Sequence, residues 1–244
     1  MLRLLPTLTA PGSMQMALDE ALLEAAATTT VRLYHWEPPA VSLGYFQDHS
    51  TIAHRLPPGM PVVRRVTGGG AIWHEHEITY ALIGHLGRDG LPARTRDLYP
   101  LLHEAIRTAL AARGARLLQT QSETVGDRRY ADEPRCFASP AADDLVHADG
   151  GKALGSAARA RGQRVLVHGS LKLATNPWDG PVVAPCGLDA ASASDALLAG
   201  LAAALGHPLI PGELTSSEVQ ARERLHAARY SDDAWVVERR GLRA

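Results

Sequence analysis

Four residues of this chain stand out for their rarity and chemistry. Its only lysines are Lys152 and Lys172, and its only cysteines are Cys136 and Cys186. A thiolate is a strong nucleophile, and a neighbouring ammonium favours it over the thiol. Lys152 follows Gly150-Gly151 and precedes Gly155-Ser156-Ala157, small residues whose backbone could line a narrow pocket. A lysine enclosed there has a perturbed pKa and can stabilise an adjacent anion. Taken alone, a lysine beside a turn reads as a surface residue, and two thiols read as inert buried groups. Two cysteines are too few for a disulfide scaffold or a four-thiolate metal site.

A second cluster lies upstream. Arg65 precedes Gly68-Gly69-Gly70, and His74 follows. Three glycines free the backbone to adopt unusual dihedrals and to approach a ligand without side-chain obstruction. Glycine runs also occur in plain hairpin turns. A P-loop is disfavoured because no Gly-Lys-Ser/Thr follows, and a dinucleotide fingerprint because a strand, not a helix, comes next. His74 and His76 alternate with Glu75 and Glu77, but with no third nearby ligand zinc is not expected.

Periodicity supplies the elements that must hold these groups. Met14 to Ala27 carries apolar residues at helical spacing, with Asp19, Glu20 and Glu24 between them, which predicts an amphipathic helix. Val31 to Trp36 and Val41 to Phe46 read as two strands joined by a stiff Pro38-Pro39 turn, and Val62 to Val66 and Ile78 to Ile83 as two more. Leu98 to Ala112 reads as a long helix closed by Arg113-Gly114, and Arg128 to Pro134 as an exposed polar loop. Strands are expected at Asp144 to His147, Ala153 to Ala160 and Val165 to Leu173, with turns at Asp149-Gly150-Gly151 and Arg161-Gly162. An alanine-rich packing helix follows from Ala191 to Leu205, and Arg239-Arg240 reads as a solvated tail. The simplest organisation is one α/β domain over residues 1–244, with a central mixed β-sheet flanked by helices.

Composition narrows the function classes. With 45% hydrophobic residues, 21% charged residues and a formal net charge of -1, the chain is neither disordered nor a nucleic-acid binder held by bulk charge. The first twenty residues do not read as a signal peptide, and no stretch is long enough to cross a bilayer, so a cytoplasmic location is expected.

Arg64-Arg65-Val66-Thr67-Gly68-Gly69-Gly70-Ala71 with His74 resembles the signature of the lipoate-protein ligase and octanoyltransferase superfamily. In that family the loop wraps the acyl chain and, in ligases, the nucleotide. Four further segments match in the same order. Gly12-Ser13-Met14 with Met16-Ala17-Leu18-Asp19-Glu20 is similar to the opening helix. Tyr34 to Pro39 and Val41 to Gln47 are similar to the first hairpin. Gly151 to Ala157 resembles the lysine motif, and His168-Gly169-Ser170-Leu171 the closing strand.

The resemblance implies a fold similar to the catalytic domain of biotin and lipoate ligases. It makes Lys152 the active-site lysine that contacts the acyl carbonyl and favours a thiolate. Arg65, Gly68, Gly69, Gly70, His74, Gly155, Ser156, Ala157, His168, Gly169 and Ser170 would shape the acyl pocket. Only about seventy residues follow the closing strand, too few for an adenylation domain, so a transferase is preferred to an ATP-dependent ligase. Cys136, in Cys136-Phe137-Ala138-Ser139-Pro140, resembles the nucleophile of one octanoyltransferase branch. Cys186, in Pro185-Cys186-Gly187, resembles that of the other and is the alternative, presented from the opposite side of the pocket. Octanoyl-acyl carrier protein is the expected donor. Lipoyl-carrier domains, of the glycine cleavage H protein or a 2-oxoacid dehydrogenase E2, are the expected acceptors. No cofactor, metal, nucleic acid or membrane partner is expected. Gly70, where this branch usually has arginine, and Ala158, where it has glutamine, are departures. Gly70 is closer to the ligase pattern and keeps a ligase with a separate accessory subunit in play. The same motifs would also suit an amidotransferase between carrier domains, or a non-catalytic carrier-domain binder.

Overall fold

The computed structural model describes residues 1–121, 130, 133–180 and 182–239. The elements run β1 (Leu2–Leu4), β2 (Leu8–Ala10), α1 (Gly12–Ala25), β3 (Thr30–Trp36), β4 (Ala40–Leu43), α2 (Ser50–Ala53), β5 (Val62–Arg64), β6 (Ile72–His74) and β7 (Glu77–His85). After them come α3 (Leu98–Ala111), β8 (Leu118–Gln119), β9 (Leu145–Val146), β10 (Lys152–Arg161), β11 (Arg164–Lys172), α4 (Ala190–Leu205), β12 (Leu209–Pro211), α5 (Ser216–Leu225) and α6 (Asp233–Glu238).

A mixed sheet in the order β12-β1-β3-β7-β11-β10-β9-β8, with β2 paired to β3, forms the centre, and β5-β4-β6 forms a smaller sheet. The long strands β3, β7, β11 and β10 run antiparallel to one another in that order, whereas β1 and β2 pair with β3 in parallel and β12 pairs with β1 in parallel. Side chains of a strand alternate between faces. Val31, Leu33, Tyr80, Leu82, Val165 and Val167 therefore join the core beneath α3 and α4. Tyr34, Trp36, Ala81, Ile83 and Leu166 join the core beneath α1 and the C-terminal helices. Both faces of the central strands are covered: every residue of β7 but His85 and every residue of β11 but Arg164 is buried.

Several elements depart from the sequence reading. The pair expected as a hairpin is split: β3 belongs to the central sheet and β4 to the small one. Pro38 and Pro39 offer no amide hydrogens to continue a ladder, and the chain changes sheets there. The second strand also ends at Leu43, not Phe46. The acidic side of α1 is solvated only at Glu24. Asp19 and Glu20 are buried, because Arg32, Tyr34 and His168 surround Asp19 while Arg229 and Tyr230 hold Glu20. Of the expected exposed loop, Arg128, Arg129, Ala131 and Asp132 lie outside the described residues, while Tyr130 and Pro134 are buried. In the expected tail, Arg239 is exposed and Arg240 lies outside the described residues.

The alanine helix α4 packs on α3 so closely that a Cβ on Gly200 would lie 2.6 Å from the Ile106 Cα and 2.9 Å from its nitrogen. Gly200→Ala should therefore destabilise the protein by about 1–3 kcal/mol in urea unfolding, outweighing the helix-propensity gain of about 1 kcal/mol. A stabilised variant would mean that the two helices separate freely.

Candidate active site

The antiparallel register of β10 and β11 joins two of the motifs. Gly155 pairs with Ser170, Ser156 with Gly169, and Ala157 with His168. Their smallness is required: a Cβ on Gly169 would lie 2.2 Å from the Ser156 Oγ and 2.6 Å from the Tyr80 ring. Above this floor the chain folds Thr67 to Gly70 between β5 and β6, and Arg65 fixes that loop. Its guanidinium donates to the carbonyl oxygens of Ser42, Gly68 and Gly70 at 2.9, 2.9 and 2.6 Å. Between loop and floor lies a cavity of about 390 Å³, within the range of small-molecule sites. Arg65, Gly68, Gly69 and His74 line one side of it, and Gly155 to Ala157 with His168 to Ser170 line another. Gly70 is not in the wall. It lies beneath the cysteine turn, where an added Cβ would meet the Tyr130 ring at 2.5 Å and the Cys136 nitrogen at 2.8 Å. That contact accounts for glycine at the position where the branch it resembles has arginine.

Cys136 opens a short 3-10 turn, Cys136–Ala138, and two hydrogen bonds to Ala71, at the end of the glycine loop, and one from Gln47 fix it. Its amide donates to the Ala71 oxygen at 2.8 Å, the Ala71 amide donates to the Pro134 oxygen at 2.7 Å, and Gln47 Nε2 donates to the same oxygen at 2.9 Å. Lys152 begins β10 and is 1% exposed. Its Nζ lies 3.8 Å from the Cys136 Sγ, 3.1 Å from the Cys136 carbonyl oxygen and 2.7 Å from Asp144 Oδ2. It also sits 4.8 Å from the centre of the Phe137 ring, with the Lys172 Nζ 5.3 Å from the same centre. The Tyr130 hydroxyl lies 3.9 Å from the sulfur. Thiol, ammonium and carboxylate thus meet at the cavity wall, which Cys136, Asp144 and Lys152 all line.

Cys186, expected as the alternative nucleophile, is elsewhere. It is 1% exposed in the apolar core with Leu171 and Leu197, and it does not line the cavity. Burial pushes its thiol up from the ordinary value, which disfavours the nucleophilic form.

His74 belongs to a larger assembly. Its ring stacks on Trp36 at 3.7 Å, its Nδ1 faces Glu77 Oε1 at 2.6 Å and its Nε2 faces the Ser42 Oγ at 2.7 Å. The Ser42 hydroxyl accepts from Arg65 at 3.0 Å, and Lys172 Nζ lies 3.6 Å from Glu77 Oε2. Burial lowers the His74 pKa, so the ring is neutral, with Nδ1–H donating to Glu77. Burial opposes ionisation of Glu77, but His74, Lys172 and Ser170 outweigh it and hold its carboxyl down at about 2. His76, by contrast, is half exposed at positive φ beyond the end of β6, beside Glu75. Among the described residues no three His, Cys, Asp or Glu side chains form a group that could hold a metal ion, and no helix is long and apolar enough to cross a membrane.

Two carboxylates were not singled out as site residues by the sequence. Asp144 entered only as the start of a strand and of the Asp144-Leu145-Val146 segment after Cys136, and Glu77 only as the acid that follows His76. The one signal for Asp144 was an acid placed directly before the buried Leu145-Val146 pair.

The fold is shared with solved lipoate-protein ligases. The chain superposes with a TM-score of 0.77 on lipoate-protein ligase A bound with ATP, at 21% identity over 96% of this chain and 98% of that one. With the bi-partite lipoate protein ligase of Thermoplasma acidophilum the TM-score is 0.76, at 20% identity over 99% and 97% of the two chains. Residues 11–181 match the lipoyl protein ligase A/B catalytic domain, and the chain belongs to that family. Among its relatives are octanoyltransferase LipM of Kyrpidia tusciae, 31% identical over 96% of this chain and 97% of that protein, and octanoyltransferase LipM of Moorella thermoacetica, 32% identical over 93% and 87%.

Because the Glu77 carboxyl is depressed from 4.5 to about 2, the stability it confers is complete above the unfolded value and is lost as pH falls through about 2. Wild type should therefore lose more unfolding free energy between about pH 5 and pH 2 than Glu77→Gln. Identical acid profiles in urea titrations would count against the depressed carboxyl.

Proposed function

We propose that this chain is an octanoyltransferase of protein lipoylation. It moves an octanoyl group from an acyl carrier protein to a lysine of a lipoyl-carrier domain through a thioester on Cys136. The observation that carries this reading is the 3.8 Å approach of the buried Lys152 Nζ to the Cys136 Sγ at the wall of the glycine-bounded cavity. The curated relatives, named octanoyltransferases, support it independently.

The chemistry follows from the groups present. The Cys136 sulfur attacks the carbonyl carbon of the donor thioester, the new S–C bond forms and the donor's C–S bond breaks. The proton leaving Cys136 passes to the departing carrier sulfur. The acceptor lysine, as a free amine, then attacks the octanoyl-cysteine. An amide N–C bond forms, the C–S bond of Cys136 breaks, and the amine's proton returns to sulfur. Two modest barriers replace one large one. The Lys152 ammonium lies where negative charge gathers on sulfur in both steps, and the water-poor site strengthens that attraction. The acyl tail occupies the cavity between the glycine loop and Gly155 to Ala157, where Met16, Ile72 and Trp36 supply apolar surface.

Purified protein mixed with octanoyl carrier protein should gain the mass of one octanoyl group on Cys136. Cys136→Ala should abolish the adduct and Cys186→Ala should retain it. Lys152→Met should slow transfer to a lipoyl domain by about 10²–10³-fold. ATP-dependent attachment of free octanoate or lipoate with no adduct on Cys136 would make the chain a ligase instead.

A further inference from the structure

Lysine–cysteine activation alone does not account for Asp144. This carboxylate is 4% exposed, and its Oδ2 lies 2.7 Å from the Lys152 Nζ, closer than either acceptor on Cys136. It is also firmly built in. Its Oδ2 accepts from the Ala141 amide at 2.6 Å, and its carbonyl oxygen accepts from the Thr120 amide at 2.9 Å. The preceding residue, Asp143, takes a positive φ of 67°. Asp143 is held from both sides: its carbonyl oxygen accepts from His103 Nδ1 at 2.6 Å and its Oδ1 accepts from Gln119 Nε2 at 3.0 Å. Helix α3, the edge strand β8 and the 141–144 turn thus converge to hold one carboxylate against one ammonium.

The Asp144 carboxylate and the Cys136 sulfur compete for one ammonium, and the carboxylate lies 2.7 Å from it against 3.8 Å for the sulfur. A negative charge so close opposes a second one on the sulfur. Among the described residues, three further groups stand near. Burial lowers the pKa of His103 on α3, so its ring is neutral. Tyr130 contributes a hydroxyl at 3.9 Å from the sulfur. Lys172 on β11 lies beyond the Phe137 ring and is held by Glu77 and by Asp179 at 3.4 Å.

We infer that Asp144 is a positioning residue that shares the Lys152 ammonium with Cys136, aims it at the sulfur, and by its own charge tempers the ammonium's pull on that sulfur. The inference deepens the transferase reading and rests on it. In the loading step, Lys152 gives one of its protons to the departing carrier sulfur and, through the lone pair so freed, takes the proton of the attacking Cys136 sulfur. It ends as it began, still an ammonium held by an ionised Asp144. Alkylation acts on the thiolate, so its rate reports how far Asp144 weakens that pull.

The test reads the sulfur directly. In a Cys186→Ala background, the rate of Cys136 alkylation by iodoacetamide is measured from pH 5 to 10. Asp144→Asn keeps the shape and removes the charge. It should lower the midpoint of the alkylation profile by about one pH unit, so that alkylation below both midpoints runs roughly ten-fold faster. Asp144→Glu should return the midpoint toward wild type. If the asparagine variant does not fold, Asp144→Ser, which retains an oxygen for the Ala141 amide, gives the same reading. An unchanged or raised midpoint in a folded charge-removed variant would overturn the inference. The assay needs neither donor nor acceptor, so the inference can fail while octanoyl transfer stands, and transfer can fail while the midpoint still moves.

Discussion

One buried ammonium organises this protein. Lys152 is almost wholly removed from water, and an uncompensated charge there would cost several kcal/mol. The fold meets that demand with Asp144, the Cys136 carbonyl oxygen and the face of Phe137. These partners come from two segments, and the lysine itself from a third. Asp144 is fixed by β8 and α3, Cys136 by the glycine loop and Gln47, and Lys152 by the 182–184 segment, which bonds its amide and its carbonyl oxygen. A charge that cannot be solvated thus forces three loops into one arrangement. That arrangement places a sulfur beside a cavity.

Close approach is the second constraint, and glycine makes it possible at chosen points. A Cβ on Gly155 would lie 2.8 Å from the Lys152 Nζ, and one on Gly44 would lie 1.9 Å from the Gly69 oxygen. The first keeps the ammonium within its own strand's footprint. The second lets the turn after β4 press on the glycine loop. Arg64 secures that turn from behind: it is fully buried and donates to the carbonyl oxygens of Gly44, Tyr45 and Gln47. It also donates to the carbonyl oxygen of Trp235, whose indole in turn donates to the Arg64 oxygen. The C-terminal helix α6 thereby braces the loop that closes the cavity. The two arginines of the motif divide the work, Arg65 within the loop and Arg64 behind it.

Much of this was written locally and could be read locally. Helix α1, the strands β7, β10 and β11 and helices α3 and α4 follow from apolar spacing and from glycines at their ends, and the structure shifts their bounds by a few residues at most. The lysine motif and the closing strand were separate segments in the sequence, but a single Arg161-Gly162 turn makes their pairing almost obligatory. The preference between the cysteines leaned on neighbouring motifs. In the structure, distance and burial separate the two sulfurs.

What the sequence determined by itself, then, was the set of chemical groups and the strands that carry them, because those depend on side-chain periodicity and on turns within a few residues. What only the tertiary structure decided was which groups face each other. Asp144 meets Lys152 across an antiparallel strand pair, Glu77 meets Lys172 across another, and Glu20 of α1 is held by Arg229 and Tyr230, some two hundred residues away in the chain. Such pairings are set by sheet order and by the cost of leaving a charge without a partner in the core. Neither leaves a periodic trace in the chain.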